Sequence, residues 1–442
     1  MATGDTQEGL HRAIWAIALP SMLTNIATAL FGLADFWVIG RLGEAEPQAG
    51  VEIGAKFMMA LLIVFNFLRS GTTALTAQAA GRGDEALGAA TLARALGLAF
   101  ALGLFILAVM PLAVPAGMDL LHARGGVADE ARTYVAIRYW GAPLWLINIA
   151  LIGWLIGRRR VRAVLAIEIG ANLLHVALDV AFVLWFGWGV AGVAAATVLS
   201  ELARTLALAV AAAQEPPAAA LLASIRHRAT WAAEPLLALF RLNRDLFLRT
   251  LLLTGASILL TRDGAQEGPA ILAANGILFQ FFMLSALILD GFESAAQVLC
   301  GEAAGAGRRE RFETLVRALL LWGLLGAVVI SLLYFAVGGI AALSFSTSPE
   351  VRAATTLFFP WVVLLPVAGI ASYIFDGVYI GATWTRALLA TMAFAFVVFA
   401  ILLATTGPLG NHGLWLAFTV FLLARAAAQA ALLPRLLATS FA

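Results

Sequence analysis

Charged side chains are scarce in this chain, and lysine is almost absent. Asp, Glu, Lys and Arg make up 12% of the 442 residues, about half the share of an ordinary soluble domain. The single lysine, Lys56, follows Gly54-Ala55, which excludes the phosphate-binding loop that ends in Gly-Lys-Ser or Gly-Lys-Thr. Any uphill work must therefore draw on an ion gradient or on a partner protein.

Cysteine pairs and closely spaced histidines are missing too. The one cysteine, Cys300, has no second cysteine for an internal disulfide, so we interpret it as a small buried apolar side chain. No two of the five histidines have the spacing of a metal-binding motif. The composition therefore excludes a disulfide-stabilised scaffold and a metal motif that is local in sequence.

What the chain does contain is a series of long apolar runs. Hydrophobic residues make up 62% of it, and its mean hydropathy is +0.93. Each run has about 20 residues, which is enough for a helix to cross about 30 Å of hydrocarbon. We therefore predict an all-α polytopic membrane protein with twelve transmembrane helices. The predicted spans are 13–40, 52–80, 90–116, 133–157, 163–186, 189–213, 246–262, 270–303, 313–342, 353–380, 386–407 and 412–435.

The longest gap between these spans divides the chain into two groups of six. The gap contains Glu215-Pro216-Pro217 and a basic pair around His227, which are typical of a connecting segment. We predict an N-terminal six-helix lobe over residues 1–213, a cytoplasmic linker over 214–245 and a C-terminal six-helix lobe over 246–442.

Two short motifs recur in the second half at one fixed offset. Gly153-Trp-Leu-Ile-Gly157 corresponds to Gly377-Val-Tyr-Ile-Gly381, and Gln78-Ala-Ala-Gly corresponds to Glu302-Ala-Ala-Gly. Because each half has six spans, the second copy keeps the orientation of the first, as in parallel repeats. Two pseudo-symmetric lobes that face each other would enclose a central cavity, which is the architecture of an alternating-access transporter.

Arginine sets the predicted orientation. Most arginines, including the cluster Arg158-Arg159-Arg160 with Arg162, flank the same ends of the spans. The positive-inside rule then places both termini and the linker in the cytoplasm of a bacterial inner membrane.

Two aspartates lie inside predicted spans. Asp35 is about five residues from the outer end of the first span, and Asp179 is about seven from the outer end of the fifth, at a rise of about 1.5 Å per residue. A carboxylate in hydrocarbon costs several kcal/mol unless it is paired, hydrated or protonated. Both acids therefore indicate a functional site in the outer half of the N-terminal lobe.

Three more polar residues share that depth or that helix face. Asn172, His175 and Asp179 follow a spacing of three and then four residues, so they lie on one face of a helix. Thr197 falls at a matching depth on the sixth span. Loss of water favours the protonated form of a carboxyl group, and two coupled acids take up protons as a pair. The alternative is that Asp35 and Asp179 only bond neighbouring helices; His175 either titrates or bridges as a neutral donor.

The second lobe has acids of its own. Asp290 and Glu293 lie in the eighth span, and with Phe31 and Arg69 we predict that they line the substrate cavity. Asp376 lies near the end of the tenth span, where we expect it to pair with a basic residue such as Arg386. Glu201 and Arg204, three residues apart, predict a local ion pair.

Several motifs together resemble the multidrug and toxic compound extrusion (MATE) transporters, in the branch of DNA-damage-inducible protein F (DinF). They cover nearly the whole chain. The motifs are Gly32-Leu-Ala-Asp35 with Val38-Ile-Gly40, Arg69-Ser-Gly-Thr-Thr-Ala-Leu-Thr-Ala-Gln78, Gly153-Trp-Leu-Ile-Gly157, Leu178-Asp179, Gly189-Val-Ala-Gly192, Ala196-Thr197, Leu242-Asn-Arg-Asp245, Asp290-Gly-Phe292, Asp376-Gly377 and Gly410-Asn-His412.

The resemblance implies two six-helix lobes and cation-coupled efflux, with the coupling site formed by Asp35, Asp179 and Thr197. The chain departs from its relatives at His175, where they often carry asparagine. It also departs around Glu293 and Gln297, where close relatives place the acid one turn further along. For that reason the substrate contacts of the second lobe are not carried over from the family.

These observations together predict a proton-coupled antiporter that exports amphipathic or cationic organic compounds, and not an enzyme. The expected coupling ion is a proton or, as an alternative at the same site, sodium; no other cofactor is expected. A flippase for lipids or lipid-linked precursors is a second alternative, because related superfamilies share the two-lobe shape. We expect contacts with small organic substrates and membrane lipid, none with nucleic acid, and a monomer.

Overall fold

The described residues of the computed structural model, 7–41, 43–121, 124–214 and 218–441, form helices and turns, with no strand among them. The first eight helices are α1 (Gln7–Gly40), α2 (Ala45–Ile63), α3 (Phe67–Arg82), α4 (Glu85–Leu120), α5 (Gly125–Arg138), α6 (Ala142–Gly157), α7 (Val161–Asp179) and α8 (Gly189–Ala212). The remainder are α9 (Ala218–Arg226), α10 (Ala233–Gln266), α11 (Pro269–Gly305), α12 (Arg309–Leu333), α13 (Gly339–Leu343), α14 (Pro349–Gly381), α15 (Thr385–Thr405) and α16 (Asn411–Ser440).

Ten helical segments within these ranges are long and apolar enough to cross a membrane. They coincide with ten of the twelve predicted spans. The other two predicted spans, 13–40 and 246–262, fall within α1 and α10, each of which has 34 residues. Helix α10 begins at Ala233, inside the stretch that the sequence indicated as linker.

Four of the spans change helical pitch along their length, which hydrophobic periodicity does not reveal. In one of them a π-helical turn, Tyr334–Gly338, joins α12 to α13. A 3-10 turn, Val64–Asn66, joins α2 to α3, and another, Tyr139–Gly141, joins α5 to α6. Helix α7 continues into a π-helical turn, Val180–Trp185, directly after Asp179. Wide turns of this kind are frequent at functional sites, because they re-aim the side chains beside them.

The contacts divide the chain into two compact units. The N unit comprises Leu23–Ala80 and Asp84–Phe240; the C unit comprises the chain up to Met22, Gly81–Gly83 and Arg241–Ala442. Helix α1 is therefore shared, since its first half packs with the C unit and its second half with the N unit. Pro20 lies inside α1, beside this division.

The core of the N unit is apolar and takes residues from the end of α1, from α2 to α6, from the turn after α7 and from α8. Leu68, Ala95, Tyr134, Leu146 and Val193 are all buried there. The apolar side chains that remain exposed on the spans suit the hydrocarbon of a membrane as well as they would suit the core.

Glycines let two helices of the N unit approach closely. A Cβ on Gly153 would lie 2.4 Å from the carbonyl oxygen of Arg69, and one on Gly157 would lie 2.8 Å from that of Thr73. No side chain fits at such distances, so α6 and α3 pack backbone to backbone.

The C unit repeats this packing at the corresponding residues. A Cβ on Gly377 would lie 2.3 Å from the carbonyl oxygen of Glu293, and one on Gly381 would lie 2.4 Å from that of Gln297. Arg69 and Glu293 thus occupy the same position in the two halves, at the offset of the sequence motifs. The predicted internal repeat is present in the packing of the structure.

Candidate cation-binding site

Three ionisable side chains meet in the N unit. Asp35 comes from the second half of α1, and His175 and Asp179 come from one face of α7. The Nε2 atom of His175 lies 2.5 Å from Asp35 Oδ1 and 2.9 Å from Asp179 Oδ2. His175 and Asp179 are completely buried, and Asp35 is 6% exposed. The structure therefore brings together three of the five predicted site residues.

A serine orients the histidine ring. The Nδ1 atom of His175 lies 3.3 Å from Ser200 Oγ, and the Ser200 hydroxyl donates to the carbonyl oxygen of Thr197 at 2.8 Å. Because the hydroxyl hydrogen is used in that bond, Ser200 Oγ accepts from Nδ1–H of His175. Such a bond leaves Nε2 as the ring atom that faces the two carboxylates.

This arrangement requires a proton between Nε2 and the two carboxyl groups. In the neutral ring with hydrogen on Nδ1, Nε2 presents a lone pair, and that lone pair would face two carboxylate oxygens. One nitrogen carries one hydrogen, so a protonated Nε2 donates to Asp35 and makes only a charge contact with Asp179. Within the described part of the chain, neither oxygen of Asp179 accepts a well-aligned hydrogen bond. The site thus fits a bound proton that three groups share.

The other two predicted site residues are close by but bind elsewhere. The Asn172 side-chain amide donates to the carbonyl oxygen of Ala27 at 3.1 Å, and its Oδ1 lies 3.5 Å from Arg204 Nη2. The Thr197 hydroxyl donates to the carbonyl oxygen of Val193. Thr197 acts on the site only through Ser200, a residue that sequence reasoning missed. Its position three residues after Thr197, on the same helix face, is the signal that could have identified it.

A second buried cluster lies nearer the start of α7 and nearer the end of α8 than the first cluster does. Arg204 is 3.5 Å from Glu168 Oε1 and 3.3 Å from Glu201 Oε1, and Asn148 donates to Glu201 Oε2 at 2.6 Å. The predicted pair of Glu201 and Arg204 is confirmed, and Glu168 joins it. In this cluster both acids pair with the fixed charge of one guanidinium, and not with an exchangeable cation.

A third buried cluster surrounds Asp376 of the C unit, which has two arginine partners. Arg249 and Arg425 both bond to Asp376 Oδ2, and Gln429 donates to Oδ1 at 2.7 Å. The expectation that Arg386 would be its partner is wrong, because α10 and α16 bring their arginines to α14 from distant parts of the chain. Sequence reasoning predicted neither Arg249 nor Arg425 as a partner of Asp376.

Only one pair of buried acids in the described chain faces a histidine. The six buried acids of the described chain are Asp35, Glu168, Asp179, Glu201, Asp245 and Asp376. Arginine compensates the last of these and both glutamates, and Asp245 accepts from Arg244 at 2.8 Å. Asp35 and Asp179 instead share His175, whose charge is exchangeable.

The second half of the chain lacks this constellation. Helices α7 and α15 begin at corresponding residues, Val161 and Thr385, so His175 corresponds to Phe399 and Asp179 to Leu403. Phe399 is fully buried against Phe421, with ring centroids 5.5 Å apart. The two halves therefore share a packing scheme but not the cluster.

The chain matches a known protein family. The MatE family model matches residues 20–181 and 246–406, which are most of the chain and both of its halves. The chain belongs to the MatE family. Members of this family are transporters and not enzymes, so the predictions of the family and of a non-enzymatic membrane protein are confirmed.

Individual relatives support the assignment to MatE. The chain is 34% identical over 421 residues to DNA damage-inducible protein F of Escherichia coli, covering 95% of this chain and 91% of the relative. It is 30% identical over 436 residues to a probable multidrug resistance protein NorM of Deinococcus radiodurans, covering 92% and 91%. The predicted DinF branch is thereby confirmed.

Solved structures of MatE transporters have the same fold. A MATE in its bent conformation matches with a TM-score of 0.87 at 18% identity, covering 98% of this chain and 96% of the other. A MOP superfamily transporter from Pyrococcus furiosus matches with a TM-score of 0.85 at 20% identity, with the same coverage. The predicted all-α class with twelve membrane helices is confirmed.

The residues predicted to contact substrate in this MatE protein are spread over both units. Arg69 lies on α3 of the N unit, and Asp290 and Glu293 lie on α11 of the C unit; all three are half-buried. The side chain of Phe31 lies outside the described residues. Their role in binding stays a prediction.

Proposed function

We propose that this MatE protein is a proton-coupled antiporter that exports amphipathic or cationic organic compounds by alternating access. The proposal rests on membership of the MatE family and on the name of its D. radiodurans relative, a multidrug resistance protein. Protonation of the cluster of Asp35, His175 and Asp179 is the proposed coupling event. The observation that carries it is the position of His175 Nε2 between the two carboxylates.

The cluster can couple because its charge changes by one when a proton binds or leaves. With a proton on Nε2, one imidazolium faces two carboxylates; without it, two carboxylates face a lone pair in a buried site. The second state is costly, so the helices that hold these groups rearrange or admit another cation. We infer that the proton and the substrate stabilise different conformations, since a ligand shifts an equilibrium only by its differential affinity.

A proton fits this donor set better than sodium does. Sodium is a hard cation that prefers a shell of oxygen ligands. Here a ring nitrogen occupies the space between the two carboxylates, within 2.5 Å of one and 2.9 Å of the other. An imidazolium at that position would repel sodium, and a neutral ring would supply a softer ligand.

The remaining expectations form part of the same proposal. The protein would act as a monomer in a bacterial inner membrane, with its termini and the linker of residues 214–245 in the cytoplasm. The lobes over 1–213 and 246–442 would be the bodies that alternate, and Arg69, Asp290 and Glu293 would each contribute to the binding of small organic compounds.

The proposal is tested by transport into liposomes with an imposed pH gradient. Asp35→Asn and Asp179→Asn should each abolish transport driven by the gradient, and Asp129→Asn should not. Asp129 is an exposed acid that pairs with Arg132, so it controls for the loss of one charge. Transport at the wild-type rate in both site variants, still dependent on pH, would overturn the proposal. Dependence on sodium at fixed pH would transfer the coupling to that ion.

A further inference from the structure

The segment between α8 and α10 is fixed to a membrane-spanning helix. It contains α9 and a 3-10 turn, Arg228–Trp231. Arg94 of α4 donates through Nε to the carbonyl oxygen of Thr230 at 2.8 Å. The Trp231 ring lies over Gly97 of α4, where a Cβ would come within 2.7 Å of it. Since α4 is one of the membrane spans, this segment lies where that span leaves the hydrocarbon.

One face of the segment exposes large apolar side chains. Leu222 is 51% exposed, Ile225 is 44% exposed and Trp231 is 39% exposed. Leu222 and Ile225 are three residues apart, so they lie on the same side of α9. The indole Nε1 of Trp231 donates to the carbonyl oxygen of Ile225 at 2.8 Å, which holds the ring beside this side of the helix.

Basic side chains border the apolar ones. Arg226, His227 and Arg228 are all exposed. The sequence from Ala218 to Ala233 contains no acid, and the nearest acids in sequence are Glu215 and Glu234. No acid of α9 or of the 3-10 turn therefore neutralises the two arginines. A short helix with exposed leucine and isoleucine, adjacent arginines and a tryptophan has the composition of elements that lie in the membrane interface.

We propose that this surface, the linker face (Leu222, Ile225, Arg226, Arg228 and Trp231), binds anionic phospholipids. Arg226 and Arg228 would contact the phosphate and the headgroup, and the apolar side chains would enter the boundary with the acyl chains. The bilayer is the occupant that the structure favours, because α4 already places this face beside it. Charge complementarity selects anionic over zwitterionic lipid.

This binding is independent of the coupling ion. It would hold the connecting segment against the bilayer on the N-unit side, as a fixed support for the chain that leads into α10. The linker face shares no residue with the cluster of Asp35, His175 and Asp179. A protein that failed every transport test could still show it, and the reverse is also true.

The first test measures thermal unfolding of the purified full-length protein in detergent, titrated with phosphatidylglycerol or phosphatidylcholine. We expect phosphatidylglycerol to raise the melting temperature at lower concentrations than phosphatidylcholine. In the double variant Arg226→Gln/Arg228→Gln the required phosphatidylglycerol concentration should rise about 30-fold, because each arginine near an anionic surface contributes about fivefold. The matched variant Arg226→Lys/Arg228→Lys should behave like the wild type, since headgroup attraction depends on charge.

The second test places an environment-sensitive fluorophore on the linker face. Ile225→Cys offers one reactive thiol, because the native Cys300 is buried. In nanodiscs the label should report a less polar environment when phosphatidylglycerol replaces part of the phosphatidylcholine. The same label at Leu409→Cys, an exposed site between α15 and α16, should not change.

Three outcomes would overturn the proposal. One is equal stabilisation by the two lipids. Another is a loss of the lipid effect in the lysine variant as well, which would indicate a structural role for the arginines. The third is a fluorescence change that follows protein concentration and not lipid composition, which would show that a second copy of the chain covers this face.

Discussion

At the scale of single residues, the site depends on which atom of His175 faces the acids. Ser200 accepts from Nδ1, and Nε2 is left between Asp35 and Asp179. The ring is therefore the basic partner of a pair of carboxylates that forms no ion pair with an arginine among the described residues. Asparagine, which the resemblance leads one to expect at this position, supplies hydrogen bonds but no titratable group.

Replacement of His175 by asparagine should reduce the proton release that substrate binding causes at neutral pH. The amide cannot bind a proton, so the carboxylates alone must hold it. Proton release from purified protein can be followed with a pH indicator in weak buffer. His227→Asn removes an exposed histidine of the linker and should leave the release unchanged. Release at the wild-type level from His175→Asn would show that the ring is only a spacer.

Replacement of Ser200 by alanine should destabilise the N unit by about 1–3 kcal/mol, the cost of an unsatisfied buried N–H group. The Nδ1–H of His175 would lose its acceptor in a fully buried place. Thermal unfolding in detergent measures the effect. Ser344→Ala removes an exposed serine with a comparable bond to the backbone and should have little effect. An equal melting temperature for both variants would contradict the assigned hydrogen bond.

At the scale of helices, glycines set the distance between the paired elements of each half. Gly153 and Gly157 contact α3, and Gly377 and Gly381 contact α11, each against a backbone carbonyl oxygen. The sequence predicted that these motifs repeat, but not that their glycines form close contacts between helices. A constant offset between the motifs shows that two segments of the chain correspond. The helix that each segment contacts is known only from the packing.

Alanine at Gly377 should therefore be strongly unfavourable. The new Cβ would meet the Glu293 carbonyl oxygen at 2.3 Å, and separation of α14 from α11 should cost about 1–3 kcal/mol, as in an overpacked core. The fraction of protein that stays monodisperse after heating reports this loss. Gly276→Ala is the matched control, because nothing lies within 4 Å of its Cβ position; alanine there should stabilise the helix slightly. Similar behaviour of the two variants would contradict the close packing.

At the scale of the whole molecule, the two halves share an architecture and differ in their buried charges. In the N unit, Asp35 and Asp179 face a histidine; in the C unit, Asp376 is held by Arg249 and Arg425. The first arrangement can exchange a proton, and the second is neutralised permanently. Helix α1 belongs to both units and carries Asp35 in its second half.

Replacement of Asp376 by asparagine should thus affect stability and not coupling. Two guanidinium groups would lose their carboxylate, a change of the kind that costs about 3–5 kcal/mol in a buried pair. The protein that still folds should release as many protons per bound substrate as the wild type does. Asp179→Asn should show the opposite pattern, with retained stability and lost proton release. Lost release in Asp376→Asn protein of normal melting temperature would contradict this division of roles.

Sequence alone determined the spans, the repeat and the two membrane-embedded aspartates, because each depends on local composition, period or offset. It also indicated that His175 and Asp179 share one helix face, because their spacing of four residues matches the helical turn. Tertiary structure decided which residues meet across helices. It brought Asp35 to His175, turned Asn172 towards Ala27 and Arg204, added Ser200, and gave Asp376 two arginines in place of Arg386. Hydrophobic periodicity shows which face of a helix is buried but not the partner against which it packs, so these contacts follow only from the packing of the helices.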